Sequence, residues 1–283
     1  MLSNYHFKSA DDRFENFNSE NNTLTIENAN EQTIYITFDS YLPETFNINV
    51  INSNVTVIEN YIGDISSCHY IINVDENSRL NRFSIIVETT NKLSIQRDIN
   101  NKGFYQSMQI DLTSQSVKSD ENINLNKQEA YASVVDGIYA INHATKKYQT
   151  NLNHYEASCE SKAQIFAINN DNAHVSIFTD AYVKNKAVRT VTNQEGRIIN
   201  LSDSCSGIVL PNLHIDENDV EASHSCSVGS VNEDHVYYLT SRGLTTLQAR
   251  NILIKGYFNP ILENISNEEI KNHIVEVLEQ RIG

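Results

Sequence analysis

The chain is poor in the residues that usually punctuate a fold. Nine glycines and three prolines are spread over 283 residues, and tryptophan is absent. A meander of tight two-residue hairpins leans on Asn-Gly, Asp-Gly or Gly-Gly, so that architecture is disfavoured. Cysteine is scarce too, at four, and no pairing framework is needed in a chain long enough to bury a sizeable core. No window approaches the ~18 consecutive apolar residues of a membrane span. Residues 1–17 are polar and mixed in charge, without the apolar run of a secretory signal. Basic residues are outnumbered, 21 against 36 acidic, for a net charge of −15. That balance argues against a nucleic-acid backbone or an anionic membrane surface as partner. Enzyme motifs are missing as well: there is no Gly-x-Ser-x-Gly elbow, phosphate-binding glycine loop, Cys-x-x-Cys pair or His-Glu-x-x-His. Together these absences predict a cytoplasmic chain with reduced thiols.

What the chain has in abundance is short apolar alternation. Ile34-Tyr35-Ile36-Thr37-Phe38, Phe46-Asn47-Ile48-Asn49-Val50, Tyr70-Ile71-Ile72-Asn73-Val74 and His174-Val175-Ser176-Ile177-Phe178 are four of many such runs. Period-two alternation rich in Val, Ile, Thr, Tyr and Phe reads as strand. Turns fall to Asn and Asp, which tolerate the left-handed conformation and bond to their own backbone. Strands of roughly five residues recurring about every ten fit a stacked solenoid such as a right-handed parallel β-helix, and a β-sandwich gives a similar pattern. Ser114–Ala130 is polar and weakly periodic and reads as a solvated loop or edge rungs. No helix is predicted before Leu244.

The period then changes. Leu247, Ile252, Leu253, Gly256 and Tyr257 fall near helical spacing, and Pro260 closes or kinks that helix. Ser266-Asn267-Glu268-Glu269 has the form of a capping box. Ile270, Ile274, Val277 and Leu278 then make one apolar stripe, which either caps the solenoid or docks a partner. Two regions are expected: 1–240 as β-helix core and 241–283 as a helical carboxy-terminal region.

The most distinctive stretch runs from Ile208 to Phe258. Pro211-Asn212-Leu213-His214-Ile215 is a short apolar alternation, and Ser223-His224-Ser225-Cys226-Ser227-Val228-Gly229 reads as a polar turn. Val236-Tyr237-Tyr238-Leu239 reads as a further strand, followed by Ser241-Arg242-Gly243, Ala249 and Gly256-Tyr257-Phe258. This order resembles the carboxy-terminal core of the SufB/SufD family, scaffold subunits of the SUF iron–sulfur cluster assembly complex. That family has a P-x-L-x-I strand, an S-H-G-A-T-x-G turn, F-Y-L, S-R-G and a helix with A and G-F. Weaker echoes lie at Ala163-Gln164-Ile165-Phe166 and at Thr190 to Gln194. The likeness is visible from about His143 onward, with no trace of the family's amino-terminal helical portion.

The resemblance implies the right-handed parallel β-helix and a scaffold that is not itself an enzyme. It implies pairing with a SufB-like subunit or as a homodimer through the Ile208–Leu239 strands, docking of a SufC-like ATPase after Leu244, and a transient iron–sulfur cluster. His224 falls on the family's motif histidine. SufB members carry a Cys near the position of Gly196 and a Glu at that of Ser225, so this chain is closer to SufD. A cluster needs soft thiolates, at times helped by imidazole. His224 and Cys226 lie two apart, so on a strand they share a face, and Cys205, nineteen residues before His224, stacks beneath it if rungs are about that long. These three are the candidate metal-binding residues. The plain alternative is that buried cysteines are small apolar fillers and a strand histidine a satisfied structural residue, and Cys68, Cys159 and His69 are assigned those roles. A different class remains open, a carbohydrate-active β-helix enzyme (polysaccharide lyase or hydrolase) using Asp203, Asp216, Glu217, Asp219 and Glu221.

Overall fold

A computed structural model describes residues 5–9, 17–18, 22–38, 45–263, 265 and 268–282. The chain opens with β1 (Tyr5–Ser9), β2 (Phe17–Asn18), β3 (Thr23–Glu27), β4 (Asn30–Phe38), β5 (Phe46–Ile51) and β6 (Asn54–Gly63). The middle holds β7 (Ser67–Val74), β8 (Arg79–Thr89), β9 (Leu93–Asn101), β10 (Phe104–Asp111), β11 (Val117–Leu125) and β12 (Tyr131–Ala140). It closes with β13 (Thr145–His154), β14 (Glu160–Asn169), β15 (His174–Val183), β16 (Thr190–Asn200), β17 (Ser206–Ile215) and β18 (Val220–Ser230). Three helices follow: α1 (Glu233–Ser241), α2 (Thr246–Leu262) and α3 (Glu268–Ile282).

From β4 on, the even strands stack in one sheet and, from β3, the odd strands stack in the other, each strand parallel to the next of its sheet. This is an all-β parallel β-helix with two faces per rung. Each rung contributes one strand to each sheet, and the chain changes sheet at each corner. Several corners carry left-handed residues, among them Asn28, Asn52, Asn142 and Asp171, the residue types that adopt positive φ at least cost after glycine. Rungs are longer than nineteen residues. Phe46 pairs with Tyr70 early on, and His174 pairs with Ser206 near the end. The five-residue apolar runs are parts of strands that mostly reach eight to eleven residues.

The two sheets read differently in sequence because their outer faces meet different surroundings. The outer face of the odd sheet meets solvent, so its strands alternate cleanly, as in β13. The even sheet is covered on both sides. Its lumen face joins the main core, while Phe83, Ile85, Val87, Met108, Ile110, Val135 and Tyr139 face outward into a second core with α2 and α3. A strand buried on both faces reads as nearly continuous apolar sequence, which is the appearance of β12.

The second core settles the stripe on α3. Ile274, Val277, Leu278 and Ile282 are buried there together with Ile254, Phe258 and Ile261 of α2, each such side chain contributing roughly 1.5–3 kcal/mol by leaving water. Arg281 Nη2 donates to Val87 O at 3.3 Å. These described residues of the stripe therefore pack against their own β-helix rather than facing a partner, and the side chain of Ile270 lies outside the described residues. Gly137 on β12 permits the close approach, since a Cβ there would lie 2.7 Å from Ile261 Cδ1.

Two further expectations are corrected. Val236–Leu239 is not a strand but part of α1, because Asn232 caps it by accepting from Asp234 N, and acidic residues fill its first turn. Ser114–Ala130 holds β11, a central strand of the odd sheet whose inward positions Ser119 and Glu121 are polar. Helix α2 starts at a capping box of Thr245 and Gln248 and continues through Pro260 to Leu262. The capping box read at Ser266–Glu269 falls partly outside the described residues.

Candidate functional site

The carboxy-terminal end of the β-helix is open. β17 closes one sheet and β18 the other, so each presents a free edge among the described residues. A free edge with unpaired backbone groups is a template for another strand. The stretch Ser223–Gly229, read as a turn, is the middle of β18. Its inward register is continuous with the lumen: Ala222, His224, Cys226 and Val228 lie over Thr192, Gln194, Gly196 and Ile198 of β16. Those four β16 residues are buried. Their β18 partners are partly or fully exposed because no rung covers them. Ile208, Leu210 and Ile215 on β17 and Val228 on β18 are exposed apolar side chains around the same end.

His224 and Cys226 thus share one face of one edge strand, both exposed. Cys205 does not join them. The residue stacked under His224 is Gln194, and Cys205 sits at the corner before β17, buried, its thiol donating to Ser202 O and Asn169 O. The reason is rung length, since one rung here spans about thirty residues rather than nineteen. Cys159 is buried with its thiol on Lys127 O, and burial pushes the Cys68 thiol up to about 12. Among the described residues no three His, Cys, Asp or Glu side chains come together as a metal cage. An imidazole and a thiol are donor types that iron–sulfur clusters take, and on this edge they are two of the four that a cluster iron set needs.

The acids singled out for sugar chemistry lie elsewhere. Asp203 is in a corner, Asp216, Glu217 and Asp219 lie between β17 and β18, and Glu221 is on the outward register of β18. Glu217 accepts from the backbone N–H groups of Asn218 and Lys186, and these bonds hold its carboxyl below the usual range.

A feature that the sequence did not announce lies deeper in the lumen. Arg82 and Arg97 are fully buried among Glu59, Glu121, Tyr61, Tyr105 and Ser84. Arg82 Nη1 reaches Glu59 Oε2 at 3.1 Å and its Nη2 reaches Glu121 Oε1 at 2.8 Å, while its Nε donates to the Tyr105 hydroxyl. Burial pushes the Glu59 carboxyl up, but Arg82, Arg97 and the Ser84 and Tyr61 hydroxyls outweigh it and hold it below its ordinary value. Nearby, Lys146 Nζ bonds Asp111 Oδ1 at 2.8 Å. The available signal was charge at inward positions of alternating strands, as in Leu80-Asn81-Arg82-Phe83-Ser84, which composition alone assigns to solvent.

Two parallel sheets of long rungs, an open end with a Ser-His strand and helices folded back over one sheet set the frame for comparison with known proteins. Residues 41–257 match the SUF system FeS cluster assembly, SufBD core domain. The chain belongs to the SufB/SufD family. Its likeness reaches well before His143, where the short motifs begin to show. The chain is 26% identical over 242 residues to the iron–sulfur cluster assembly protein SufD of Bacillus subtilis, covering 82% of this chain and 55% of that protein. It is 26% identical over 251 residues to SufD of Plasmodium berghei, covering 83% of this chain and 18% of that protein. A SufBD family protein of Mycobacterium bovis is 28% identical over 112 residues, 39% of this chain and 28% of that protein. The chain therefore spans about half the length of its B. subtilis relative and less of the others. Among the described residues no helix is long and apolar enough to cross a membrane.

Proposed function

We propose that this chain is a SufD-like scaffold subunit of an iron–sulfur cluster assembly complex, without catalytic chemistry of its own. The observation that carries the reading is the open end: two free edges, exposed Ile208, Leu210, Ile215 and Val228, and His224 with Cys226 on the inward register of the last strand. An edge of this kind adds a strand from a second β-helix, with main-chain bonds supplying affinity and side chains supplying register. The partner is a SufB-like subunit or a second copy of this chain. Pairing would bring His224 and Cys226 against the partner's own donors, so that a cluster in assembly is held between chains as cargo.

The helical end is the proposed dock for a SufC-like ATPase. Tyr237 (75% exposed), Tyr238, Leu247 and Ile252 leave apolar surface open on α1 and α2. Gly256 sits mid-helix on the exposed side, with nothing within 4 Å of where its Cβ would be. A helical glycine costs about 1 kcal/mol against alanine; no contact among the described residues asks for it, which supports close approach by another molecule. ATP-driven closure of the partner would then strain the scaffold through α2, which packs on the even sheet.

Anaerobic reconstitution of the chain together with its SufB-like and SufC-like partners tests the reading. Iron and visible absorbance are expected in the native complex and are expected to fall several-fold in His224→Ala with the complex intact. Equal iron in both would remove His224 from the site, and no complex at all would refute the scaffold reading.

A further inference from the structure

Among the described residues the lumen chamber holds one more acid than it holds bases. Glu59 on β6 and Glu121 on β11 face Arg82 on β8 and Arg97 on β9, two charges of each sign. Asp111 on β10 is matched by Lys146 on β13 and accepts from the Tyr148 hydroxyl. Asp136 on β12 is the remaining acid. It is buried on the inward face and makes no ion pair among the described residues. Its register neighbour on β10 is Gln109, also buried. Among the described residues Asp136 Oδ1 and Gln109 Oε1 both lack a hydrogen-bond partner, while the Gln109 amide nitrogen donates to Ser119 Oγ at 3.2 Å.

Two orphaned acceptors on adjacent strands call for a donor between them, because a buried polar atom without a partner costs roughly 1–3 kcal/mol. We propose that Asp136 is an uncharged carboxylic acid in the folded chain, its proton shared with Gln109 Oε1, and that this proton couples the stability of the β-helix to pH. One O–H satisfies both oxygens and brings the chamber to electrical balance. An ionised Asp136 would leave a buried negative charge without a counterpart, an arrangement that proteins avoid by shifting the titration. Burial pushes the Asp136 carboxyl up to about 8; Glu121 adds to the rise, Arg82 and Arg97 oppose it, and Asp111 adds a smaller share. The titrating group is also sealed. Ile165 and Gly196 stand between Asp136 and Cys226 in the same register column, so the open end gives it no direct contact with solvent.

The sign follows from linkage. An aspartate in the unfolded chain titrates near about 3.9, so between about pH 4 and 8 the folded chain holds a proton that the unfolded chain has released. The contribution is complete below about pH 4, is lost as pH rises through about 8, and is flat above.

Urea denaturation of the full chain and of Asp136→Asn, from pH 5 to 9 in sodium and in potassium chloride, tests this. The folding constant of the native chain, relative to the variant, is expected to fall by up to about tenfold per pH unit from pH 5 toward 8 and then level off. The infrared spectrum of the native chain supplies a readout that does not depend on the variant's folding: a protonated-carboxyl band present near pH 6 and lost by pH 9. A pH-independent ratio, absence of that band at pH 6, or stabilisation specific to sodium or potassium would overturn the proposal, the last by showing that a bound cation supplies the missing charge.

Discussion

An Arg82→Met variant is expected to lose 3–5 kcal/mol or more and to unfold at a markedly lower urea concentration than the native chain. Among the described residues Arg82 is the one group that touches both Glu59 and Glu121 at 3.1 Å or less, and all three side chains are buried. Replacing a buried ion pair as a unit is often nearly neutral, whereas deleting one partner strands the charge of the other. Methionine strands two carboxylates at once, with Arg97 left 3.5 Å from Glu59 as the remaining cation. Against a total stability of 5–15 kcal/mol for a folded domain, that loss is a large share. The control is the double variant Arg82→Met, Glu121→Gln, which is expected to recover a good part of it because Glu59 and Arg97 then remain as a one-to-one pair. A single variant that costs less than about 1 kcal/mol would show that water reaches the chamber and screens it.

The second large effect concerns assembly rather than folding. Leu210→Asp is expected to leave the urea midpoint nearly unchanged and to weaken pairing at the open end by about 30-fold or more. Leu210 is 50% exposed and lies on the outward register of edge strand β17 beside Phe178, so the β-helix gives up little when it becomes polar. Placed at the centre of an interface, a buried carboxylate without a partner costs about 2 kcal/mol or more, the scale of a hot spot. Ile51→Asp, on β5 far from the open end, is the matched control and is expected to pair normally. Sedimentation of each variant with the SufB-like subunit distinguishes the two. Equal binding by Leu210→Asp and the native chain would move the interface elsewhere.

How much of this was legible in sequence depended on what each residue's neighbours allowed. The strands were legible, because alternation of β-branched residues and Asn-marked corners mark them, but a β-sandwich gives the same pattern and the β-helix came from the family resemblance of Ile208–Phe258. The outer apolar face of the even sheet was not. Phe83, Ile85 and Val87 read as ordinary strand core, and only their packing against α2 and α3 shows that they form a second core. Rung length was misread because each half-buried segment hides a longer strand, and with it went Cys205 as a companion to His224. The α1 helix was missed because Val236-Tyr237-Tyr238-Leu239 has strand-like composition, while the deciding signal, Asn232 as cap, lies four residues before Val236. His224 and Cys226 do share one face, as the two-residue period requires of a strand, although the stretch that holds them read as a turn. The buried charges escaped because a charged residue is ordinarily a solvated one, and only the register shows Arg82 and Asp136 pointing into a closed lumen.

The most direct test of the central claim uses Cys226, the exposed thiol among four cysteines of which the other three are buried. Alkylation followed by mass spectrometry is performed on the free chain and on its complex with the SufB-like subunit. The account expects Cys226 to be modified rapidly in the free chain and protected at least about tenfold in the complex, with Cys68, Cys159 and Cys205 slow in both. Equally fast modification of Cys226 in a complex that demonstrably forms would contradict the account, since the open end would then be no part of the interface.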